Sequence, residues 1–342
     1  MSDMTSSRLG QSGGSGDAYE IFLKQFSGEV LASFAERNVM MPLHTVRTIT
    51  SGKSAQFPMT GVATAAYHVP GAEILGGAIN HAERVIHIDN LLTSSAFIAN
   101  IDEAMNHYDV RSIYSKEIGY ALSNHADKAL LRTVIAGSLD AADPIGNAGG
   151  GSVVVGTTGD AAVQGLLDCA QKFDETDVPQ GDRYAVVTPD TFYNILKSGA
   201  AGQGTNIMNR DFGGTASPTR GEQALTVGGI QVMMSNHIPT ANEDDDASGT
   251  VDPVLGSTSV RNSPFADAGV TNAETNEGYS GTTFAGYRGV CFHRSGVGTV
   301  KLLDLAVESD YLVQNQGTLM VSKFAMGHNY LRADACIGLK ES

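Results

Sequence analysis

Four side chains of metal-binding type, His81, Glu83, His87 and Asp89, fall on one face of a short alternating segment. Spacing decides against a shared ion. Ligands at i and i+6 on a strand lie roughly 20 Å apart, which leaves His87 with Asp89, two ligands where a site needs three or four. The acidic run EDDD at 243–246 attracts cations in general but lacks the D-x-D-x-D-G…E register of a calcium loop. The segment SVVVGTTGDAAVQGLL at 152–167 reads as strand, glycine turn and helix, the order of a dinucleotide fold. It contains neither G-x-G-x-x-G nor the lysine of a phosphate-binding loop. No G-x-S-x-G elbow is present, and no serine or cysteine has a recognisable base partner in sequence. We therefore expect no catalytic, cofactor-binding or metal residue and no cofactor. A reading of another class stays open on the residues alone: a soluble acidic α/β enzyme with a ligand site at the glycine turn near Gly156.

The elements that would position these groups follow from hydrophobic periodicity. Residues 1–17 are Ser/Gly-rich and read as an arm; Asp17 then caps a helix in which Ile21, Phe22, Phe26, Val30, Leu31 and Phe34 recur at helical spacing, ending by Pro42. Residues 46–89 read as two extended arms around a Gly-rich tip. On the returning arm Ala82, Arg84, Ile86 and Ile88 face one way and the polar set faces the other. Two such strands cannot bury their own apolar groups, so the ribbon must rest on something else. The strongest helix runs over 110–137, with Asp109 as N-cap, Ile113, Ile118, Leu122, Ala126, Ala129, Leu130 and Val134 on its apolar side, and Gly137 as its stop. Alternating helices and strands follow: helix 161–173, strand 184–187, helix 189–197, and strand 230–234 after Gly228-Gly229. Residues 240–279 are polar and acidic and read as a solvent-facing loop insertion, after which strands are expected at 287–292, 297–307 and 319–324.

Composition narrows the function classes. The chain has 342 residues, 37 acidic against 22 basic, for a net charge of −15. Phosphate backbones and anionic membranes repel such a surface, so generic nucleic-acid adhesion and membrane binding are disfavoured. Glycine supplies 40 residues, well above the usual share of about 7%, which points to long loops and close backbone approaches. Cys169, Cys291 and Cys336 are odd in number and far apart, so buried reduced thiols are expected. No apolar signal core and no 18-residue apolar run is seen, and folding in a reducing cytoplasm is the plain expectation.

Five spans, in order along nearly the whole chain, carry a family resemblance: FLKQFSGEVLASFA at 22–35, SGKSAQFP at 51–58, DEAMNHYDVRS at 102–112, HRSGVGTVKLLDLAVE at 293–308 and KFAMGHNYLR at 323–332. They resemble the major capsid proteins of T-7-like short-tailed phages. The resemblance implies an α+β chain with the HK-97-like capsid fold, a structural protein and not an enzyme. It also implies the parts: an N-terminal arm and helix at 1–45, and an extended loop at 46–90. A peripheral domain would comprise 91–140 and 281–324, with the spine helix at 110–137. An axial domain would comprise 141–280 and 325–342, with the acidic insertion at 240–279. Many copies would form hexamers and pentamers of an icosahedral shell around the phage double-stranded DNA, without sequence-specific DNA contact. A scaffolding protein and a portal at one vertex are the implied partners, assembly would take place in the host bacterial cytoplasm, and decoration proteins are left open. Combined with the ribbon's inability to fold alone, this assigns inter-subunit contact to Lys53, Phe57, Met59, Ile86 and Ile88.

Overall fold

A single helix runs between the two main sheets and helps form the core of each. The computed structural model describes residues 38–61, 76–99, 101, 111–197, 225–240, 255, 260–268, 278–279 and 284–341, with scattered positions between 63 and 73. The arm and helix expected before residue 38, the cap at Asp109 and the EDDD run at 243–246 lie outside the described residues. Helix α1 (Arg111–Leu139) is 29 residues long, about 43 Å at 1.5 Å per residue. Ile118, Leu122 and Ala126 pack with Ile98, Met320 and Phe324, whereas Leu130, Leu131, Val134 and Ile135 pack with Val290, Phe292 and Cys336. The first half serves one sheet and the second half the other, so the apolar surface widens from a stripe to most of the circumference.

That change explains one departure from expectation. Gly137 does not stop the helix, which continues to Leu139. A Cβ on Gly137 would stand 3.0 Å from Tyr330 Cβ and 3.2 Å from Cys336 Sγ, so the glycine permits close packing rather than a turn.

The first sheet has the order β1-β10-β11-β4, with β1 (Thr45–Thr48), β4 (Leu92–Ala99), β10 (Val297–Leu312) and β11 (Gly317–Tyr330). The β10–β11 hairpin is antiparallel, with irregular register between Lys301 and Ala306. Alternate residues of β11 serve opposite faces: Phe324 and Met326 meet α1, and Ala325 meets the ribbon. Strand β1 pairs parallel with Gly298–Lys301 of β10, so the beginning of the expected loop is part of this sheet. β4 has no sequence signature of a strand, because LTSSAFIA carries no clean alternation.

The second sheet has the order β5-β12-β9-β6-β8-β7, built from β5 (Ser152–Val154), β6 (Arg183–Val187), β7 (Leu225–Val227), β8 (Ile230–Met234), β9 (Tyr287–His293) and β12 (Cys336–Lys340). Helices α2 (Gly159–Glu175) and α3 (Pro189–Lys197) cover one face through Leu166, Phe173, Phe192 and Ile195, and α1 covers the other. Thr158 caps α2 by accepting the Ala161 N–H. Gly228 and Gly229, at φ of +57° and +81°, form the β7–β8 turn that only glycine adopts freely. Cys169, Cys291 and Cys336 are free and buried, and the hydrogen bond that the Cys291 thiol gives to Cys169, together with burial, pushes the Cys291 thiol well up.

The third sheet is the ribbon, β2 (Ser54–Thr60) with β3 (His81–His87), antiparallel from Ser54↔His87 to Thr60↔His81.

The stretch 240–279 departs furthest from its reading as a solvated excursion. Its described residues include Leu255, Asn262, Phe265, Ala268 and Tyr279, all buried. A short helix α4 (Pro264–Asp267) inserts Phe265 beside Phe284, ring centroids 5.3 Å apart, in the core around Leu130 and Val134. Four scattered apolar side chains outweigh an acidic average, because burial is decided residue by residue.

Candidate assembly surface and the seat of the ribbon

Strand alternation gives the ribbon an inner face of Ala55, Phe57 and Met59 opposite Ile86, Arg84 and Ala82. The inner face rests on Val300 of β10 and Ala325 of β11. Ile86 is 0%, Ile88 5% and Met59 8% exposed within the single subunit. Ile86 and Ile88 therefore anchor the ribbon to its own body, while Met59 is buried opposite Ala82 at the edge of a groove. Lys53 and Phe57 differ. Lys53 is exposed beside the Gly52 turn, and Phe57 is half-buried with the Arg47 guanidinium 5.7 Å from its ring centroid. A groove of about 790 Å³ separates Phe57 and Met59 from Ile145, Asn147 and Leu331 of the body. Beyond the paired strands Tyr67 is fully exposed.

A cation stands among the apolar groups of β3. Arg84 lies over the Tyr330 ring at 4.2 Å and 3.5 Å from Asp140, whose carboxylate also accepts the Tyr330 hydroxyl at 2.9 Å. Burial is the main cause pushing that hydroxyl's pKa up. An arginine at an inward position of an alternating strand was the sequence signal for such a buried pair.

The ribbon's root continues into a chain of buried polar contacts. His87 exchanges hydrogen bonds with the Asn262 side chain, and Asp89 accepts the Tyr279 hydroxyl at 2.7 Å. Tyr279 in turn accepts the His328 N–H at 2.9 Å. Thr299 Oγ1 lies 2.8 Å from His328 Nδ1 and 2.5 Å from His44 Nε2, and His44 Nδ1 reaches the Met40 carbonyl at 2.8 Å. With both imidazoles neutral, as burial favours, His44 donates from Nδ1 to the Met40 carbonyl and accepts the Thr299 proton at Nε2, while His328 donates from Nδ1 to the threonine oxygen. Burial holds His44 down to about 4 and His328 down to about 3. Asp127 of α1 accepts the N–H groups of Val39 and Met40 at 3.0 and 3.1 Å, and burial pushes its carboxyl up to about 6. Nothing in local sequence links residues so far apart.

The chemically suggestive groups are not brought together. His81, Glu83 and His87 point outward, and Asp89 is engaged by Asn262 and Tyr279. Among the described residues no three His, Cys, Asp or Glu form a metal-ligand cluster. At the glycine turn, a Cβ on Gly156 would lie 2.6 Å from Ala161 Cβ. Close packing against α2 is thus what that glycine provides.

Comparison with known proteins decides the family. The Gp10A-like major capsid protein profile matches residues 56–340, most of the chain and every strand from β3 onward. The chain belongs to the Gp10A-like major capsid protein family. It is similar to the major capsid protein of Enterobacteria phage T3, 34% identical over 336 residues that span 93% of this chain and 91% of the relative. Identity is again 34% to the major capsid protein of Escherichia phage T7, across 94% of this chain and 91% of that one. The capsid structure of cyanophage P-SCSP1u superposes with a TM-score of 0.71 at 31% identity, covering 97% of this chain and 92% of that one. The subunit has the HK-97-like capsid fold, builds the phage capsid shell by self-association and is a structural protein, not an enzyme.

Proposed function

We propose that this capsid subunit tiles its shell as hexamers and pentamers, assembled in the host bacterial cytoplasm with a scaffolding protein and closed around a portal at one vertex. The shell encloses double-stranded DNA without gripping it, because a subunit of net charge −15 repels the phosphate backbone. The observation that carries this reading is the ribbon: its root is buried, while its outer portion, including Tyr67 and Ile79, is exposed with no sheet to join. In domain terms the arm is 1–45 and the extended loop 46–90, followed by a peripheral unit on the spine helix and an axial unit on the six-stranded sheet. Contact with a neighbouring copy runs through Lys53 and Phe57, while Ile86 and Ile88 hold the root in place.

The test is Phe57→Ala with Lys53→Glu, expressed with scaffold. A truncated aromatic anchor at an interface typically costs on the order of 2 kcal/mol per contact, repeated at every copy. Particle yield is expected to collapse while circular dichroism stays that of the parent. Normal yield would remove the ribbon from the interface, and unfolding would show that Phe57 belongs to the subunit's own core.

A further inference from the structure

One primary amide, from a stretch whose composition suggested only solvated loop, closes the root of the ribbon. Asn262 is 2% exposed. Its Oδ1 accepts the His87 N–H at 3.0 Å, and its Nδ2 donates to the His87 carbonyl at 2.7 Å and to Asp89 Oδ1 at 2.9 Å. A neighbouring strand would offer the last residue of β3 the same donor and acceptor. The backbone N–H groups of Arg261 and Asn262 add two more bonds to Asp89 Oδ1, at 2.8 and 3.2 Å. From the other side, β11 presses against the same peptide. A Cβ on Gly327 would collide with the His87 carbonyl oxygen and stand 2.9 Å from Asn262 Nδ2. The His87 peptide is therefore held between an amide and a bare backbone, with no second position open to it.

The segment that delivers Asn262 is anchored elsewhere. Phe265 and Ala268 are embedded in the core formed with α1, and Asp267 accepts the Asn329 side chain at 2.8 Å. The strap thus has its own hydrophobic hold on the body and reaches from it to the ribbon. Apolar seating through Ile86 and Ile88 is non-directional. Hydrogen bonds are directional, and those of Asn262 join the Asp89 N–H to Met326 carbonyl bond in orienting the end of β3.

We propose that Asn262 is a positioning residue for shell assembly, clamping His87 and Asp89 so that the ribbon projects at the angle its neighbour requires. The proposal rests on the ribbon being an inter-subunit contact. It assigns to the 240–279 stretch a part in shell geometry beyond filling space.

The experiment compares full-length Asn262→Ala and Asn262→Asp with Phe57→Ala, reading hydrogen exchange in free subunits and particle shape after assembly with scaffold. The aspartate variant keeps the shape but turns both donors into acceptors facing a carbonyl and a carboxylate. For both Asn262 variants, amides of β2 and β3 should exchange at least about tenfold faster, the loss of one to two hydrogen bonds, with β9 and β12 protected as in the parent. Particles should form with irregular curvature or size. Unchanged ribbon exchange would overturn the proposal, as would general loss of protection in β9 and β12, which would make Asn262 a core residue only. Faster ribbon exchange with normal shells, while Phe57→Ala fails to assemble, would also overturn it and leave the ribbon contact standing. Normal shells from all three variants would instead overturn the ribbon contact on which it rests.

Discussion

At the scale of single residues, the buried polar chain ties stability to acidity. His44 and His328 are neutral in the folded subunit, with values near 4 and 3 against 6.5 for free imidazole. As pH falls below 6.5 the unfolded chain takes up protons on both, and the folded subunit does not until those lower values. Stability is therefore fully present above that point and declines on acidification toward 4. Lys301 and Arg294 face the same pocket and reinforce the neutral state, while Asp89 approaches only through Tyr279. Asp127 acts in the opposite sense. Its folded carboxyl titrates near 6, above the 3.8 of the free group, so acidification through that interval favours the folded form. Asp89, raised by burial, adds to the same side. His293, also lowered by burial, joins the two imidazoles, and this side is expected to outweigh the two carboxyls. The urea midpoint of free subunits should fall between about pH 7 and about pH 5, and His44→Gln with His328→Gln should flatten that slope despite a lower midpoint overall. A parent midpoint independent of pH, or an unchanged slope in the double variant, would contradict this.

At the scale of elements, the contact of β11 with the ribbon leaves no tolerance at one position. Gly327→Ala must displace the His87 carbonyl, whereas Gly76→Ala meets nothing within 4 Å. Overpacking of this kind typically costs about 1–3 kcal/mol, so the first variant should lower the urea midpoint and the second should leave it almost unmoved. Equal midpoints would mean that the ribbon root yields freely. What could be read from sequence at this scale was local. The inward set Ala82, Arg84, Ile86 and Ile88 follows from period-two alternation, and α1 follows from Ile118 to Val134 at helical spacing. The helix at Pro189–Lys197 and the strand at Ile230–Met234 have the bounds their sequence suggests. Non-local partners could not be read in that way. Thr45–Thr48 finds its strand partner some 250 residues later, at Gly298–Lys301, and no local pattern encodes that pairing. Asn262 sits in polar sequence and becomes buried only because Phe265 and Ala268 carry it into the core. Ile86 and Ile88 show the same limit: two strands cannot bury them, but Val300 and Ala325 of their own subunit do.

At the scale of the whole molecule, a spine helix shared by two sheets and a ribbon clasped at its root make a body with a projecting arm. The family match and the P-SCSP1u capsid likeness make that body a shell subunit. Composition adds a net charge of −15, which disfavours adhesion to phosphate backbones. The most direct measurement is sedimentation velocity of the purified full-length chain, alone and coexpressed with the proposed scaffolding protein, followed over rising concentration. Discrete capsomers or closed shells, far larger than one 35.8 kDa chain, are the predicted species. A compact monomer that persists at high concentration, with scaffold and without it, would contradict the assignment as a shell-building subunit.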